Sequence, residues 1–144
     1  MQREETIDFH IRWAWTKMSK LYNTEASQMG ATMAMAYTLL CIDKQGIPAT
    51  KLGPMMGMEP TSMTRILKSL ESQGYITRES DKKDGRKVLV KLTKKGKNYR
   101  DVSKQKVIQL NIHIKNEIPD EKLDVFFEVI QNINKILDKN NIFS

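Results

Sequence analysis

The hydrophobic positions in the first part of the chain follow helical spacing. Between about Glu4 and Glu25 the apolar residues recur every three or four positions, as in an amphipathic helix; they are Ile7, Ile11, Ala14, Trp15, Met18, Leu21 and Tyr22. Trp13 falls outside this stripe and indicates a second buried face. Such a helix can pack on its own subunit and on a partner.

Two shorter helices are predicted next, each with a polar residue at its start. Thr32 is the expected N-cap of a second helix that runs to about Asp43. After a short connection over 44–48, Thr50 is expected to cap a third helix that ends at Gly57. Gly53 and Pro54 weaken this third helix.

A fourth helix is predicted with one apolar and one polar face. Pro60 suits its first turn, and Gly74 is expected to stop it after Gln73 in a left-handed conformation. The inward stripe is Met63, Ile66, Leu67 and Leu70, and the outward face carries Thr61, Ser62, Thr64, Arg65 and Lys68. Short hydrogen-bonding side chains with two cations are suited to contacts with DNA bases and phosphates.

The period then changes from helix to strand. We expect a β-hairpin from Tyr75 to Ser80 and from Val88 to Leu92, with a polar tip over Asp81–Lys87. Thr93 is expected to cap a long fifth helix, which Pro119 ends. The apolar stripe of a last helix is Leu123, Phe126, Phe127, Ile130, Ile133 and Leu137.

The excess positive charge lies in one segment. Residues 77–106 hold twelve basic and four acidic residues, a net charge of +8, whereas all other residues hold twelve basic and thirteen acidic residues, a net charge of −1. This segment follows the polar helix face directly, which favours binding to a polyanion. A solvated basic surface is the alternative for the charge taken alone.

Composition excludes several other classes of protein. The 144 residues suit one soluble domain, and no apolar run reaches the length of about 20 that a membrane span needs. The acidic N-terminus is unlike a signal peptide, so we expect the cytoplasm. One cysteine and two histidines make a poor metal site, and we expect neither a metal nor another cofactor. No phosphate loop or nucleophile motif indicates an enzyme.

Two short helices, a tight turn and a basic hairpin describe a winged helix-turn-helix. The stretch Leu67–Gly96, LKSLESQGYITRESDKKDGRKVLVKLTKKG, resembles the MarR family in the spacing of helix end, glycine, wing and helix cap. The wing motif Asp81-x-x-Asp84-x-Arg86 and the sequence Leu92-Thr93-Lys94-Lys95-Gly96 are similar too. Gly85 stands where the family often has a second arginine.

The resemblance implies a mainly α (α+β) fold in a single domain over 1–144. It implies a DNA-binding lobe over 30–96 and dimerization helices over 1–27 and 97–144. It also implies that the protein is a transcription regulator, expected to be a repressor. As a homodimer it would bind a roughly palindromic double-stranded operator. Arg86 would enter the minor groove, Asp84 would brace it, and the cationic wing residues Lys82, Lys83 and Lys87 would lie beside them.

Several interpretations stay open from the residues alone. Trp13, Trp15 and Tyr37 could line a cleft for a small aromatic or lipophilic effector, although helical aromatic residues are usually core. Cys41 could sense oxidants, but a buried core cysteine is favoured. The alternative function is a winged helix for protein contacts without specific DNA binding, which would not explain the +8 segment.

Overall fold

The computed structural model describes residues 1–139 and 141–143. The chain divides into two compact units, Met1–Lys106 and Val107–Ser144. Six α-helices and a small antiparallel sheet make up the described residues, in agreement with the predicted mainly α winged helix-turn-helix fold. No helix in this part of the chain is both long enough and apolar enough to span a bilayer.

Helix α1 covers Ile7–Ser27 and follows a short 3-10 helix over Arg3–Glu5. The prediction that α1 begins at about Glu4 was wrong. Thr6 has an extended backbone, and its hydroxyl accepts a hydrogen bond from Phe9 N at 3.3 Å. A hydroxyl in this position satisfies one of the free N–H groups of the first turn, which fixes the start of the helix.

Helices α2 and α3 cover Met33–Leu40 and Ala49–Met56. Thr32 caps α2 as predicted, since its hydroxyl accepts a hydrogen bond from Met35 N at 3.2 Å. The prediction that Thr50 caps α3 was wrong, because Pro48 is the N-cap and Thr50 lies inside the helix. The N–H that proline lacks is not needed so near a helix start.

Helix α4 covers Pro60–Ser72 and has the predicted boundaries. Pro60 is its first residue, Gln73 is its C-cap, and Gly74 has a φ of 80°. Gly74 N and Tyr75 N donate hydrogen bonds to the carbonyls of Glu71 and Leu70 at 3.0 and 2.9 Å. The left-handed glycine thus turns the chain back on the helix end and satisfies its last carbonyls.

The sheet contains strands β1 (Ile47–Pro48), β2 (Ile76–Ser80) and β3 (Val88–Leu92) in the order β1-β3-β2. The predicted hairpin is confirmed, with Ile76 opposite Leu92 and Ser80 opposite Val88. Strand β1 was not predicted, because 44–48 was expected to be a connection. Its proline is accommodated because β1 is an edge strand.

The core of the first unit gathers apolar side chains from α2, α3, α4, the sheet and the start of α5 (Lys94–Glu117). Its buried members are Ala31, Met35, Leu39, Ile42, Ile47, Leu52, Met63, Leu67, Leu70, Tyr75, Ile76, Val90 and Tyr99. Three of these, Met63, Leu67 and Leu70, come from the predicted inward stripe of α4. This packing fixes which face of α4 is left for solvent.

Helices α5 and α6 follow the predicted signals. Thr93 caps α5, and its hydroxyl accepts a hydrogen bond from Gly96 N at 3.0 Å. Helix α6 covers Asp120–Leu137, directly after Pro119. None of the residues of α6 is buried, and its exposed apolar side chains are Val125, Phe126, Phe127, Val129, Ile136 and Leu137.

Candidate nucleic-acid interface

Helices α3 and α4 are joined by the tight turn over 57–59. Gly57, with a φ of 62°, ends α3 in the left-handed region. Met58 N donates a hydrogen bond to Gly53 O at 2.9 Å, and a Cβ on Gly53 would lie 3.2 Å from Met58 O. Gly53, which weakens α3 by propensity, therefore allows the turn to fold closely against that helix.

Helix α4 presents a continuous polar surface. All five residues predicted to contact DNA from this helix are exposed: Thr61, Ser62, Thr64, Arg65 and Lys68. The Thr64 hydroxyl donates a hydrogen bond to Pro60 O at 2.9 Å, which leaves its oxygen lone pairs free to accept. Glu59 makes no side-chain cap. The N-terminal N–H groups of α4 can therefore donate to an approaching anion.

The tip of the hairpin is held by its two aspartates. Asp81 N donates to Lys87 O at 2.9 Å, and Lys87 N donates to Asp84 O at 3.0 Å. The Asp81 carboxylate accepts a hydrogen bond from Lys83 N at 2.9 Å. The Asp84 carboxylate accepts one from Arg86 N at 3.1 Å and lies 3.6 Å from Arg86 Nε. Asp84 thus orders the backbone of the tip and faces the arginine head group.

The acids of the neighbouring surface are paired with cations. Arg78 contacts Glu71 at 3.0 Å and Lys91 contacts Glu79 at 2.6 Å. A hydrogen bond from Arg78 lowers the pKa of Glu71, and a hydrogen bond and the charge of Lys91 lower the pKa of Glu79. Sequence reasoning missed both pairs because the partners lie on different elements, whose packing the local pattern does not give.

Other cations of this surface stay unpaired. Within the described ranges, no acid lies in ion-pair distance of Arg65, Lys68, Lys83 or Lys87. Arg86 is 96% exposed despite its contact with Asp84. The result is a polar helix beside a hairpin whose cations are free to meet phosphate groups.

The three aromatic residues predicted for an effector cleft are each about half exposed. Trp13 contacts Phe9, with ring centroids 6.3 Å apart. Trp15 follows Trp13 by two residues on α1. Residues two apart on a helix point about 200° apart, so α1 directs Trp13 and Trp15 to opposite sides. Neither tryptophan, nor Tyr37, lines the depression of about 470 Å³ over Tyr75 and Tyr99.

Cys41 is partly buried at the end of α2, where it packs against the core. The expectation of a buried core cysteine therefore holds in part, because the side chain packs against the core but is only partly buried. Burial raises the pKa of the Cys41 thiol. Because the thiolate is the reactive form, this environment disfavours attack on an oxidant.

Comparisons with known proteins identify similar transcription regulators. A model described as MarR family matches residues 32–88. The organic hydroperoxide resistance transcriptional regulator of Bacillus subtilis is 28% identical over 97 residues, which cover 67% of this chain and 66% of that protein. The HTH-type transcriptional regulator SarZ of Staphylococcus epidermidis is 27% identical over 122 residues, which cover 83% of this chain and 81% of that protein.

Solved structures have the same fold. A MarR mutant from E. coli, crystallised with operator DNA, is 24% identical with a TM-score of 0.75, and the match covers 85% of this chain and 89% of that one. CouR from Rhodococcus jostii, bound to p-coumaroyl-CoA, is 21% identical with a TM-score of 0.79, and the match covers 92% and 94%.

Proposed function

We propose that this chain, which the MarR family model matches over residues 32–88, is a repressor that binds a roughly palindromic operator as a homodimer. It is a DNA-binding transcription regulator and not an enzyme. We assign base contacts to the outward face of α4, at Thr61, Ser62, Thr64, Arg65 and Lys68. We assign backbone and minor-groove contacts to the wing, at Lys82, Lys83, Asp84, Arg86 and Lys87.

One observation carries this assignment, namely the exposed polar face of α4 beside a hairpin with unpaired cations. A helix fits the major groove of B-DNA, where the residues near its N-terminus meet base edges. An arginine such as Arg65 can bind a guanine edge with two hydrogen bonds, which discriminates by about 1 to 3 kcal/mol. Loss of Arg65 should therefore relax sequence specificity.

The wing contributes differently in this proposal. The minor groove offers a nearly degenerate pattern of donors and acceptors, so an arginine there responds mainly to charge and groove width. Arg86 projects into solvent at the tip of the hairpin, where it can reach such a groove. Loss of Arg86 should weaken binding to most sequences by similar factors.

The test compares Arg65→Ala with Arg86→Ala in the full chain. Each is titrated by fluorescence anisotropy against a duplex selected by the parent from a random library, and against a random duplex, at several salt concentrations. Arg86→Ala should weaken both complexes by similar factors and lower the salt slope by about one unit. Arg65→Ala should weaken the selected duplex more. Equal, small effects would favour the alternative, a winged helix for protein contacts.

We also propose that a small aromatic or lipophilic effector releases the DNA. The half-exposed side chains of Trp13, Trp15 and Tyr37 offer apolar surface to such a ligand, but Trp13 and Trp15 face opposite sides of α1, so a single cleft can include only one of the two. The similar protein CouR was crystallised with p-coumaroyl-CoA. Aromatic acids that bind in calorimetry but leave operator affinity unchanged would contradict it, because an effector must differ in affinity for two states.

A further inference from the structure

The first turn of α5 holds the junction between α4 and β2. The Thr93 hydroxyl donates a hydrogen bond to Gly74 O at 2.6 Å, and Thr93 N donates to Tyr75 O at 3.1 Å. Lys95 Nζ donates to Gln73 O at 2.7 Å. Gln73 is the C-cap of α4, so Lys95 holds the end of the helix that carries the proposed base contacts.

The ammonium group of Lys95 is itself held by an aromatic support. It lies 4.6 Å from the ring centroid of Tyr75, and Tyr75 stacks on Tyr99 at 5.1 Å. Both rings are buried, and the Tyr75 hydroxyl donates to Met29 O at 3.3 Å. A cation over a buried ring gains from the negative face of the π system. The ammonium group of Lys95 is therefore held against the protein surface, between the Tyr75 ring and Gln73 O.

We propose that Lys95 is a positioning residue for α4 and not a ligand of DNA phosphate, an inference that rests on the proposed function of α4. A cation at a helix C-terminus complements the partial negative charge of the last carbonyls. Here it also ties one carbonyl at this end, Gln73 O, to α5. Its charge belongs to the +8 segment, but one of its three N–H donors bonds Gln73 O and its ammonium group lies over the Tyr75 ring.

The length of α4 makes this contact important for specificity. Thr61 and Gln73 are twelve residues apart, a distance of about 18 Å along a helix. A tilt of about 5° at the Gln73 end would move Thr61 by about 1.5 Å, whereas a specific site tolerates errors of about 0.5 Å. Base contacts near the start of α4 therefore depend on how firmly its end is held.

The neighbouring Lys94 supplies a matched control. It is an exposed lysine in the same turn of α5 and makes no hydrogen bond or ion pair within the described part of the chain. Lys94→Met and Lys95→Met remove the same charge from adjacent positions. Only Lys95→Met removes the contact with Gln73 O.

The experiment titrates both methionine variants of the full chain against the selected and the random duplex at several salt concentrations. Lys95→Met should weaken the selected duplex by about ten-fold, the order expected for one lost base contact, with little effect on the random duplex. Its salt slope should stay at the parent value. Lys95→Arg, which keeps a donor and a cation over Tyr75, should recover affinity to within about two-fold.

A spectroscopic measurement tests the contact directly. In the DNA-free protein, the carbonyl carbon resonance of Gln73 should shift in Lys95→Met and stay in place in Lys94→Met, because hydrogen bonding changes that resonance. This readout also gives an answer if the parent selects no duplex, a result that would contradict the proposed function alone.

Two outcomes would overturn the inference. Equal losses on both duplexes with a salt slope lower by about one unit would make Lys95 a phosphate ligand. Unchanged operator affinity and an unchanged Gln73 resonance in Lys95→Met would mean that the contact does not position α4.

Discussion

Gly96 lies so close to Tyr75, in the junction between α4 and β2, that no side chain fits there. A Cβ at this position would overlap the carbonyl oxygen of Tyr75 and come within 3.4 Å of Leu92. The contact brings the first turn of α5 onto the junction that Thr93 and Lys95 also hold. At the scale of single residues, the placement of the chain at the end of α4 therefore depends on an absent side chain.

This close approach predicts the effect of Gly96→Ala. Alanine is the better helix former by about 1 kcal/mol, but the overlap with backbone should outweigh that gain and lower the free energy of unfolding by about 1 to 3 kcal/mol. Gly85→Ala is the control, since nothing lies within 4 Å of its Cβ position, and it should change stability by less than about 0.5 kcal/mol. Urea unfolding measures both, and equal stability of Gly96→Ala and the parent would contradict the steric argument.

The exposed residues of α4 could be predicted because the helical period determines which side chains share a face. Met63, Leu67 and Leu70 enter the core, so Arg65 and Lys68 must face solvent. The partners of long side chains could not be predicted in this way. Lys95 meets Gln73 only because the chain returns after the hairpin, 22 residues later. Such contacts depend on tertiary packing, which the local pattern does not contain.

At the scale of elements, turn and cap residues located most boundaries. Pro60 and Gly74 bracket α4 because proline suits a first turn and glycine adopts the left-handed conformation without strain. Strand β1 was missed because its two residues are too few to show the alternation of apolar and polar side chains that marks a strand. Its pairing with β3 becomes visible only once Ile47 is seen opposite Val90.

Substitution of Asp84 in the wing distinguishes two roles for its carboxylate, because they predict opposite changes in DNA affinity. Asp84→Asn removes a negative charge next to DNA, so charge alone would tighten binding. If Asp84 orients Arg86, binding should instead weaken by about two- to five-fold on both duplexes, in line with an exposed pair of up to about 1 kcal/mol. Asparagine still offers an oxygen to Arg86 N, so the backbone of the tip is preserved.

Asp81→Asn is the matched control for this prediction. Asp81 also accepts a hydrogen bond at the tip, from Lys83 N, but makes no ion pair with a described residue. It should bind DNA as well as the parent or better. Anisotropy titrations at low salt compare the DNA affinities of the two variants. Tighter binding by both would contradict the proposal that Asp84 orients Arg86.

At the scale of the whole molecule, the basic excess and most of the exposed apolar side chains lie on different parts of the chain. The basic excess is confined to 77–106, beside the exposed face of α4. Large exposed apolar side chains occur on α1, among them Ile11, Trp15 and Leu21, and along α6. The distribution of charged residues along the sequence predicted the first feature, and helical periodicity predicted the second. A hydrophobic stripe in sequence does not by itself tell a core from an interface.

The apolar surface of α6 leads to a prediction about assembly. Phe126 is 53% exposed in the single chain, and a substitution at such a surface position usually changes stability by less than about 0.5 kcal/mol. In the proposed homodimer the same side chain is covered by the partner or by a rearranged core, so Phe126→Asp should cause aggregation or unfolding. Glu128→Ala, also exposed on α6, should leave the protein unchanged.

Light scattering at micromolar concentration measures the molar mass in solution and so tests whether the protein is a dimer. We expect a value near twice the 16.7 kDa of the monomer for the parent and for Glu128→Ala. A two-fold axis would place two copies of α4 about 34 to 36 Å apart, so that both enter successive major grooves of a palindromic site. A well-folded Phe126→Asp would mean that this side chain is not covered. A parent that scatters as a clean monomer would by itself contradict the homodimer, and a single α4 could then contact only one half of such an operator.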